Sequence, residues 1–589
     1  MKRIVGFTFI SIFTATSWAI PAEAKEKPLR TYEVCPGRVE LIHPSEIDFS
    51  KNEKNFLCGD PEVEAWSSLP LEQVQYHMGT FLEGRGFFQP RFEVVGGVLK
   101  VYPGKTVKIS KVELTGDPPV FLNVRRRWKT LGTRLTPASL SALEGWVKGE
   151  LTAHGYPCPV LKSRANVATG EVIIDVEPGP LQDIASITQE SVPGLDMGTL
   201  RRYDAFQLDK PFNDDLLTLS ARRLESGGLL QNTFFTWQCS PEGAELMQRT
   251  YPGKSRLIRI GFGADTEQYF IIRGSWAHNR LGRNGSNFVL SWFGSWLQQK
   301  LDLTSEWYAF SPLSRWFLFP KLSFNHERES DFQFISNNLF FGLARTFDTQ
   351  KYGVRFQVGP NLNFTYTFSG SRPGLTKFLS LMGEVNWMDH YYEIFLNDPR
   401  QGYRVQFKAA FNSDVIFSDI SAQGFRLNWH YYYNLKNLDP PLLIFGWRGG
   451  LGSTLAPEDP FTRDLLPPNY KYFLGGNRNL RGFGRQELPP DPEDLDAGAR
   501  TAAFLSFEIR LANVIPFGIQ PIAFFDIGVL GDSFMDFDAP VYYSPGGGLR
   551  VASPFGVFRT TFAHGYKTGP DGDPGNTHFQ FLFSFGEEF

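Results

Sequence analysis

The sequence predicts an α+β half of repeated modules followed by a transmembrane antiparallel β-barrel, and three observations carry that prediction. Phenylalanine is distributed unevenly, with 11 between residues 25 and 254 and 41 between 255 and 589. The second half alternates apolar and polar residues with period two, as strands do when their faces meet different surroundings. The first half repeats a helical stripe and its closing glycine at a spacing of 69 residues. A chain of 589 residues exceeds one ordinary core, so several domains are expected.

At the N-terminus, Lys2 and Arg3 precede the apolar stretch Ile4–Phe13, and Ala22-Glu23-Ala24 supplies a small-x-small cleavage pattern. Residues 1–24 are read as a removed signal peptide. The four cysteines, Cys35, Cys58, Cys158 and Cys239, form an even set that suits an oxidising compartment. Three pairings are open. Cys35 with Cys58 closes the shortest loop and is the expected one, the spacing not being that of a zinc site.

Leu71, Val74, Met78 and Leu82 share one helical face and Gly86 follows; Leu140, Leu143, Val147, Leu151 and Gly155 repeat those offsets. Each glycine suits a left-handed cap and precedes an aromatic, Phe87 or Tyr156, that starts a strand. A fainter third copy keeps Leu216, Leu224 and Gly228. Strand-turn-strand patterns then end in Tyr102-Pro103-Gly104, Glu177-Pro178-Gly179 and Tyr251-Pro252-Gly253. Each unit is expected to be a strand, two helices and a hairpin, with boundaries at 25–105, 106–180 and 181–254. The first unit is irregular, because residues 31–65 lack a clear opening strand.

Residues 255–589 form the barrel half. Leu505, Phe507, Ile509 and Leu511 share one face, and Ser506, Glu508 and Arg510 the other. The same alternation sets Phe425, Leu427, Trp429 and Tyr431 against Arg426, Asn428 and His430. In water each such aromatic face would need a covering sheet, whereas a lipid-facing barrel needs none and leaves no backbone group unpaired. At about 9–11 residues per spanning strand, this length suits roughly 14–18 strands, with about 16 expected. Phe579, Phe581, Phe583, Phe585 and Phe589 fall on one face of the last strand, a ladder that a soluble edge strand seldom exposes.

Composition excludes several functions. Lys plus Arg is 59 against 62 for Asp plus Glu, a formal charge of −3 that attracts no nucleic acid. The single long apolar run, Ile4–Ile20, cannot build a helical transporter. Nine histidines are thinly spread and no Gly-x-Ser-x-Gly occurs, so no enzyme is expected. No cofactor or metal site is expected either, and Pro489-Pro490-Asp491-Pro492-Glu493-Asp494 reads as a solvated loop.

The segment Leu474-Gly475-Gly476-Asn477-Arg478-Asn479-Leu480-Arg481-Gly482-Phe483 resembles the Gly-Gly…Arg-Gly-aromatic signature of the BamA/TamA insertion-porin superfamily, carried on a loop that folds back into the barrel. Phe524-Phe525-Asp526-Ile527-Gly528 and Gly546-Gly547-Gly548-Leu549-Arg550 are similar to that superfamily's wall strands, and the repeats look like POTRA domains. Three repeats are most similar to its TamA branch. The resemblance implies an outer-membrane protein with periplasmic POTRA domains that helps unfolded autotransporters and other β-barrel clients enter the membrane. It also implies contact with outer-membrane lipid and with a TamB-like partner anchored in the inner membrane. A two-partner-type secretion pore for an exoprotein is the alternative, although such proteins have two POTRA domains and a plug helix.

Independently of that resemblance, the glycines at 475, 476 and 482 permit turns and close approach, while Arg481 brings five donors into a polar lumen. If Phe525 and Ile527 face lipid, Asp526 points inward, and a bidentate pair with Arg481 is expected to pin the loop. A lateral seam is expected between a first strand about Leu257–Ala264, weakened by Gly261 and Gly263, and the Phe-rich last strand, which runs out in Gly586-Glu587-Glu588.

Overall fold

The computed structural model describes residues 28–59, 69–123, 130–394, 398–438, 440–457, 466–488, 498–537, 540–553, 556–568 and 578–586. The expected signal peptide, Phe589 and the cluster Pro489–Asp494 lie outside the described residues. The chain divides into two compact units, residues 1–181 and 182–589.

In the first unit, β1 (Arg30–Cys35), β2 (Val39–His43), α1 (Lys51–Cys58), α2 (Leu71–Glu83), β3 (Arg91–Val95) and β4 (Val98–Tyr102) build one small domain. Its sheet runs β1-β2-β4-β3, with β2 parallel to β4. The opening segment is therefore a hairpin and not an irregular stretch. It escaped the sequence reading because its strands are short and joined across Gly37, whose φ is +65°. Ser50 and Glu53 cap α1 reciprocally, each accepting the other's backbone N–H. The Cys35–Cys58 disulfide ties α1 to β1. Closing a loop with a sequence separation of 23 is worth about 3–4 kcal/mol in the chain-entropy model. Val74, Met78 and Leu82 are the fully buried face of α2 and pack against Val39, Leu41, Leu99 and Val101. Each contributes about 1.5–3 kcal/mol by burial.

The second small domain contains β5 (Lys111–Gly116), α3 (Pro137–Ala153), β6 (Val160–Asn166) and β7 (Glu171–Glu177). Thr136 and Ser139 cap α3, Pro137 opens it, and Gly155 (φ +96°) follows its end. Among the described residues this domain has one helix, where the repeat predicted two. Leu143, Val147 and Leu151 bury against Val172, Ile174 and Val176. The sheet order β5-β7-β6, with β5 parallel to β7, repeats the topology of the first domain.

The second unit opens with β8 (Ile184–Gln189), α4 (Met197–Arg201), α5 (Asp214–Ser226), β9 (Asn232–Ser240) and β10 (Gly243–Tyr251), with β8 parallel to β10. This third domain is anchored to the barrel. Asp196 N–H and Thr199 Oγ1 both donate to the Arg283 carbonyl, at 2.9 and 3.1 Å.

The barrel begins with β11 (Arg256–Asp265), β12 (Tyr269–Leu281), β13 (Ser286–Gly294), β14 (Gln298–Glu306), β15 (Trp316–Arg328) and β16 (Gln333–Asp348). It continues through β17 (Tyr352–Ser369), β18 (Gly374–Asp389), β19 (Gly402–Asn412), β20 (Gln423–Asn434) and β21 (Leu443–Leu455), with the short α6 (His390–Ile394) after β18. β22 (Thr501–Leu511), β23 (Ile519–Gly531), β24 (Val541–Ser553), β25 (Gly556–Lys567) and β26 (His578–Gly586) complete a closed sheet of sixteen strands. Every neighbouring pair is antiparallel, so alternate turns face the third domain. The wall is inside-out relative to a soluble sandwich. On β22, Phe507, Ile509 and Leu511 are exposed outward, while Ser506, Glu508 and Arg510 are buried toward the lumen.

Candidate functional site

The connection from β21 to β22 returns into the lumen as a hairpin, held by bridges between Tyr472 and Ala499 and between Leu474 and Leu488. Gly475 (φ +113°) and Gly476 (φ +96°) begin its tip. A Cβ on Gly475 would strike the Gly484 carbonyl, and one on Gly476 the Glu267 carboxylate. Asn479 Oδ1 accepts from the Gly475 and Leu480 N–H groups, each at 2.7 Å, and so closes the turn. Leu474, Leu480 and Phe483 sink into an apolar cluster with Leu488, Leu530 and Tyr542. Gly528 leaves the room they need, since a Cβ there would lie 2.9 Å from Leu474 and 3.0 Å from Leu480.

Arg481 is 0% exposed. It donates from Nε to Asp526 Oδ2 at 2.8 Å and from Nη2 to Asp526 Oδ1 at 2.6 Å, the bidentate geometry of a guanidinium on a carboxylate. Its Nη1 donates to Glu508 Oε2 at 2.7 Å and its Nη2 to Ser506 Oγ at 3.0 Å. The guanidinium carbon stands 3.4 Å from the centre of the Phe524 ring. Gly482 lets this residue reach the wall, because a Cβ there would come within 2.5 Å of the Gly565 nitrogen. Phe483 packs edge-on to Tyr542 and against His578, both at 5.6 Å between ring centres.

Glu508, Ser506, Arg510 and Arg559 belong to the same site; the sequence places Ser506, Glu508 and Arg510 on one polar strand face without joining them to Arg481, and it does not single out Arg559. Glu508 Oε2 pairs with Arg481 and Arg559, and its Oε1 accepts from Arg510 Nε at 2.6 Å. Arg510 in turn donates from Nη1 to the Pro399 carbonyl at 3.4 Å. Next to Pro399, Asp398 accepts from Arg550 Nη2 of β24 at 2.7 Å. The short strap Asp398–Pro399, ahead of β19, thus reaches across the lumen to β22 and β24, meeting through Glu508 and Arg510 the loop that enters from the far side.

The loop also touches both sides of the junction between the first and last strands. Glu267, in the β11–β12 turn, accepts from Asn477 N–H at 3.0 Å. On the other side, Glu487 Oε1 lies 3.5 Å from His578 Nδ1 of β26. Arg485 Nη2 reaches Glu329 at 2.8 Å and fixes the loop to the β15–β16 turn.

Among the described residues, β11 and β26 pair at two positions, Ala264 with Phe585 and Asp265 with Ser584, extended by Thr266 N–H donating to the Phe583 carbonyl at 3.0 Å. Other neighbours pair over seven residues, as in β14–β15, to sixteen, as in β17–β18. The overlap joins the far end of β11 to the domain-facing end of β26. Among the described residues, Arg256–Gly263 pair with β12 alone and His578–Leu582 with β25 alone. Leu257 and Gly261 therefore do not meet Phe579 or Phe581. Gly263 does meet the last strand, since a Cβ there would lie 2.7 Å from the Phe585 carbonyl, while Gly261 has open space around it.

A family model, the Omp85 superfamily domain, matches residues 287–589. Among solved structures, BamA from Haemophilus ducreyi lacking POTRA domains 1–3 is similar at 17% identity with a TM-score of 0.53, covering 82% of this chain and 100% of that one. CdiB from Acinetobacter baumannii is similar at 12% identity with a TM-score of 0.45, covering 82% of this chain and 90% of that one. CdiB from Escherichia coli is similar at 13% identity with a TM-score of 0.46, covering 82% of this chain and 91% of that one. No curated protein sequence matches the chain.

Proposed function

The chain belongs to the Omp85 superfamily, and from that premise we propose that it is a TamA-like outer-membrane assembly factor, inserting or translocating autotransporters and other β-barrel clients through its lateral seam. The observation that carries this reading is the short overlap of β11 and β26. Among the described residues, Arg256–Phe262 of β11 and His578–Leu582 of β26 are unpaired across it, and an unpaired edge accepts an added strand by main-chain hydrogen bonds. The lumen loop leans on Glu267 and on His578, one on each side of that overlap, so loop and seam are mechanically linked.

Three small α+β domains favour the TamA branch over branches with two or five, and they would stand in the periplasm with their sheet edges facing incoming clients and a TamB-like partner. We assign them to residues 25–105, 106–180 and 181–254, after a signal peptide of residues 1–24. The two-partner-type pore is the weaker reading, because the strap at Asp398–Pro399 and the loop at Arg481 both cross the lumen that an exoprotein would traverse.

The test is a crosslink across the seam. In liposomes, the purified protein should speed the folding of an unfolded autotransporter barrel, followed by heat-modifiable gel mobility. Ala264→Cys with Phe585→Cys, oxidised, should abolish the acceleration, and reduction should restore it while the equally treated parent is unaffected. Full activity with the bond formed excludes lateral opening.

A further inference from the structure

Where the third domain meets the domain-facing rim of the barrel lies a cavity of about 310 Å³. Among the described residues, Arg202, Arg222, Arg223, Arg315, Arg355 and Arg404 line it, against three carboxylates, Glu306, Asp348 and Glu393. Those carboxylates are already engaged. Arg355 Nη1 donates to Glu306 at 2.6 Å, Asp348 is shared by Arg315 and Arg223, and Glu393 lies 3.2 Å from His390.

Arg202, Arg222 and Arg404 have no carboxylate partner among the described residues. Arg222 donates to the Gln350 carbonyl at 2.9 Å. Arg202 is 3% exposed, stacks 3.8 Å from the centre of the Tyr308 ring, and gives one Nη2 donor to the Asn284 carbonyl. Among the described residues, its Nε and Nη1 have no hydrogen-bond partner. Buried charged donors left unmatched are costly, and a site that keeps them is arranged for something that accepts from them. The positive excess is also felt by Arg223, which burial and the neighbouring Arg315 push down to about 10. Tyr203, Tyr308 and Phe317 complete an apolar lining that strengthens any charge pairing inside.

We propose that this cavity binds a phosphate-class oxyanion, a phosphate ester or free phosphate, held by Arg202, Arg222 and Arg404. The three guanidinium groups come from three elements, the end of α4, α5 and β19. A tetrahedral oxyanion offers acceptors in several directions and takes forks from each, whereas a planar carboxylate offers two oxygens in one plane. The volume suits a small ligand or a headgroup. Because Arg202 and Arg222 belong to the third domain and Arg404 to the barrel, the bound anion ties the two together.

The experiment is isothermal titration of the full chain, purified in a maltoside detergent that carries no phosphate, with inorganic phosphate, glycerol 3-phosphate and dihexanoyl-phosphatidylglycerol. Saturable 1:1 binding of at least one probe is expected, weakened by at least about tenfold in Arg404→Gln, the equivalent of losing one charge-assisted contact. Arg222→Gln provides the same reading if Arg404→Gln loses its heat-modifiable fold. Binding of inorganic phosphate assigns a free anion, and binding of the lipid alone assigns a headgroup. Absence of saturable binding in the millimolar range overturns the proposal, as does unchanged affinity in both folded variants. Acetate binding as tightly as phosphate overturns the choice of a tetrahedral anion.

Discussion

Removing Arg481 should release the lumen loop at a cost that its contacts set. Arg481 and Asp526 are both fully buried and share two hydrogen bonds of 2.8 and 2.6 Å, and Asp526 Oδ2 also accepts the Arg481 backbone N–H at 3.1 Å. Arg481→Ala removes the bidentate partner of Asp526, and breaking a buried pair in this way costs about 3–5 kcal/mol. Asp526→Ala should cost less, about 2–3 kcal/mol, because Arg481 keeps Glu508 at 2.7 Å. If the pair acts as a unit, the double variant should cost little more than Arg481→Ala, a coupling of about 2–3 kcal/mol. The assay is the urea midpoint of the heat-modifiable mobility shift for the parent, both single variants and the double. Trypsin cleavage after Arg478 and Arg485 would report loop release in the same samples. A coupling below about 0.5 kcal/mol, or a loop no more accessible in Arg481→Ala, refutes the idea that this pair pins it.

Three further outcomes follow from the same geometry. Gly482→Ala should destabilise by about 1–3 kcal/mol and expose the loop to trypsin, because its Cβ would press on the Gly565 backbone; an unchanged midpoint would mean that β25 yields freely. Asp398→Ala should raise ion conductance in planar bilayers by freeing the strap from Arg550, and unaltered conductance would show that the strap blocks nothing. In the first domain, the Arg85 fork holds the Glu53 carboxyl at about 2, below its ordinary 4.5. A lowered carboxylate pKa stabilises above the unfolded value, so this contribution should be full above about pH 4.5 and lost as pH falls through about 2. With the two side chains 26% and 23% exposed, screening limits it to about 1 kcal/mol, and calorimetry of Glu53→Gln should show a flatter acid limb than the parent.

What could be read from the sequence was whatever depends on local periodicity. The stripe Val74, Met78, Leu82 buries because one helical face meets one sheet, and the β22 alternation survives because each face has its own solvent. Asp526 was legible from the alternation that sets it against Phe525 and Ile527. Glu508 stood on a recognised lumen face, yet its partners Arg481 and Arg559 lie 27 and 51 residues away, and no local pattern joins them. Glu267 is one acid in a short turn, and its contact with Asn477 is set by how the whole barrel closes. The offset of β11 against β26 likewise belongs to closure, since it depends on stagger accumulated around the ring. The β1–β2 hairpin was missed for the opposite reason, its strands being too short to show a period.

That offset would give an incoming strand a toehold on each edge of the proposed seam. Under the proposed lateral opening, an incoming segment would have, among the described residues, Arg256–Phe262 on one side and His578–Leu582 on the other to zip against before either native pair is broken. Displacement of Ala264 from Phe585 and of Asp265 from Ser584 would then proceed one rung at a time, each lost hydrogen bond replaced by a new one. A net main-chain bond contributes about 0.5–1.5 kcal/mol, so no rung presents a steep barrier. A butt-jointed barrel with fully matched edges would have to shed its whole ladder first, whereas under the proposed lateral opening the staggered one would exchange strands by branch migration.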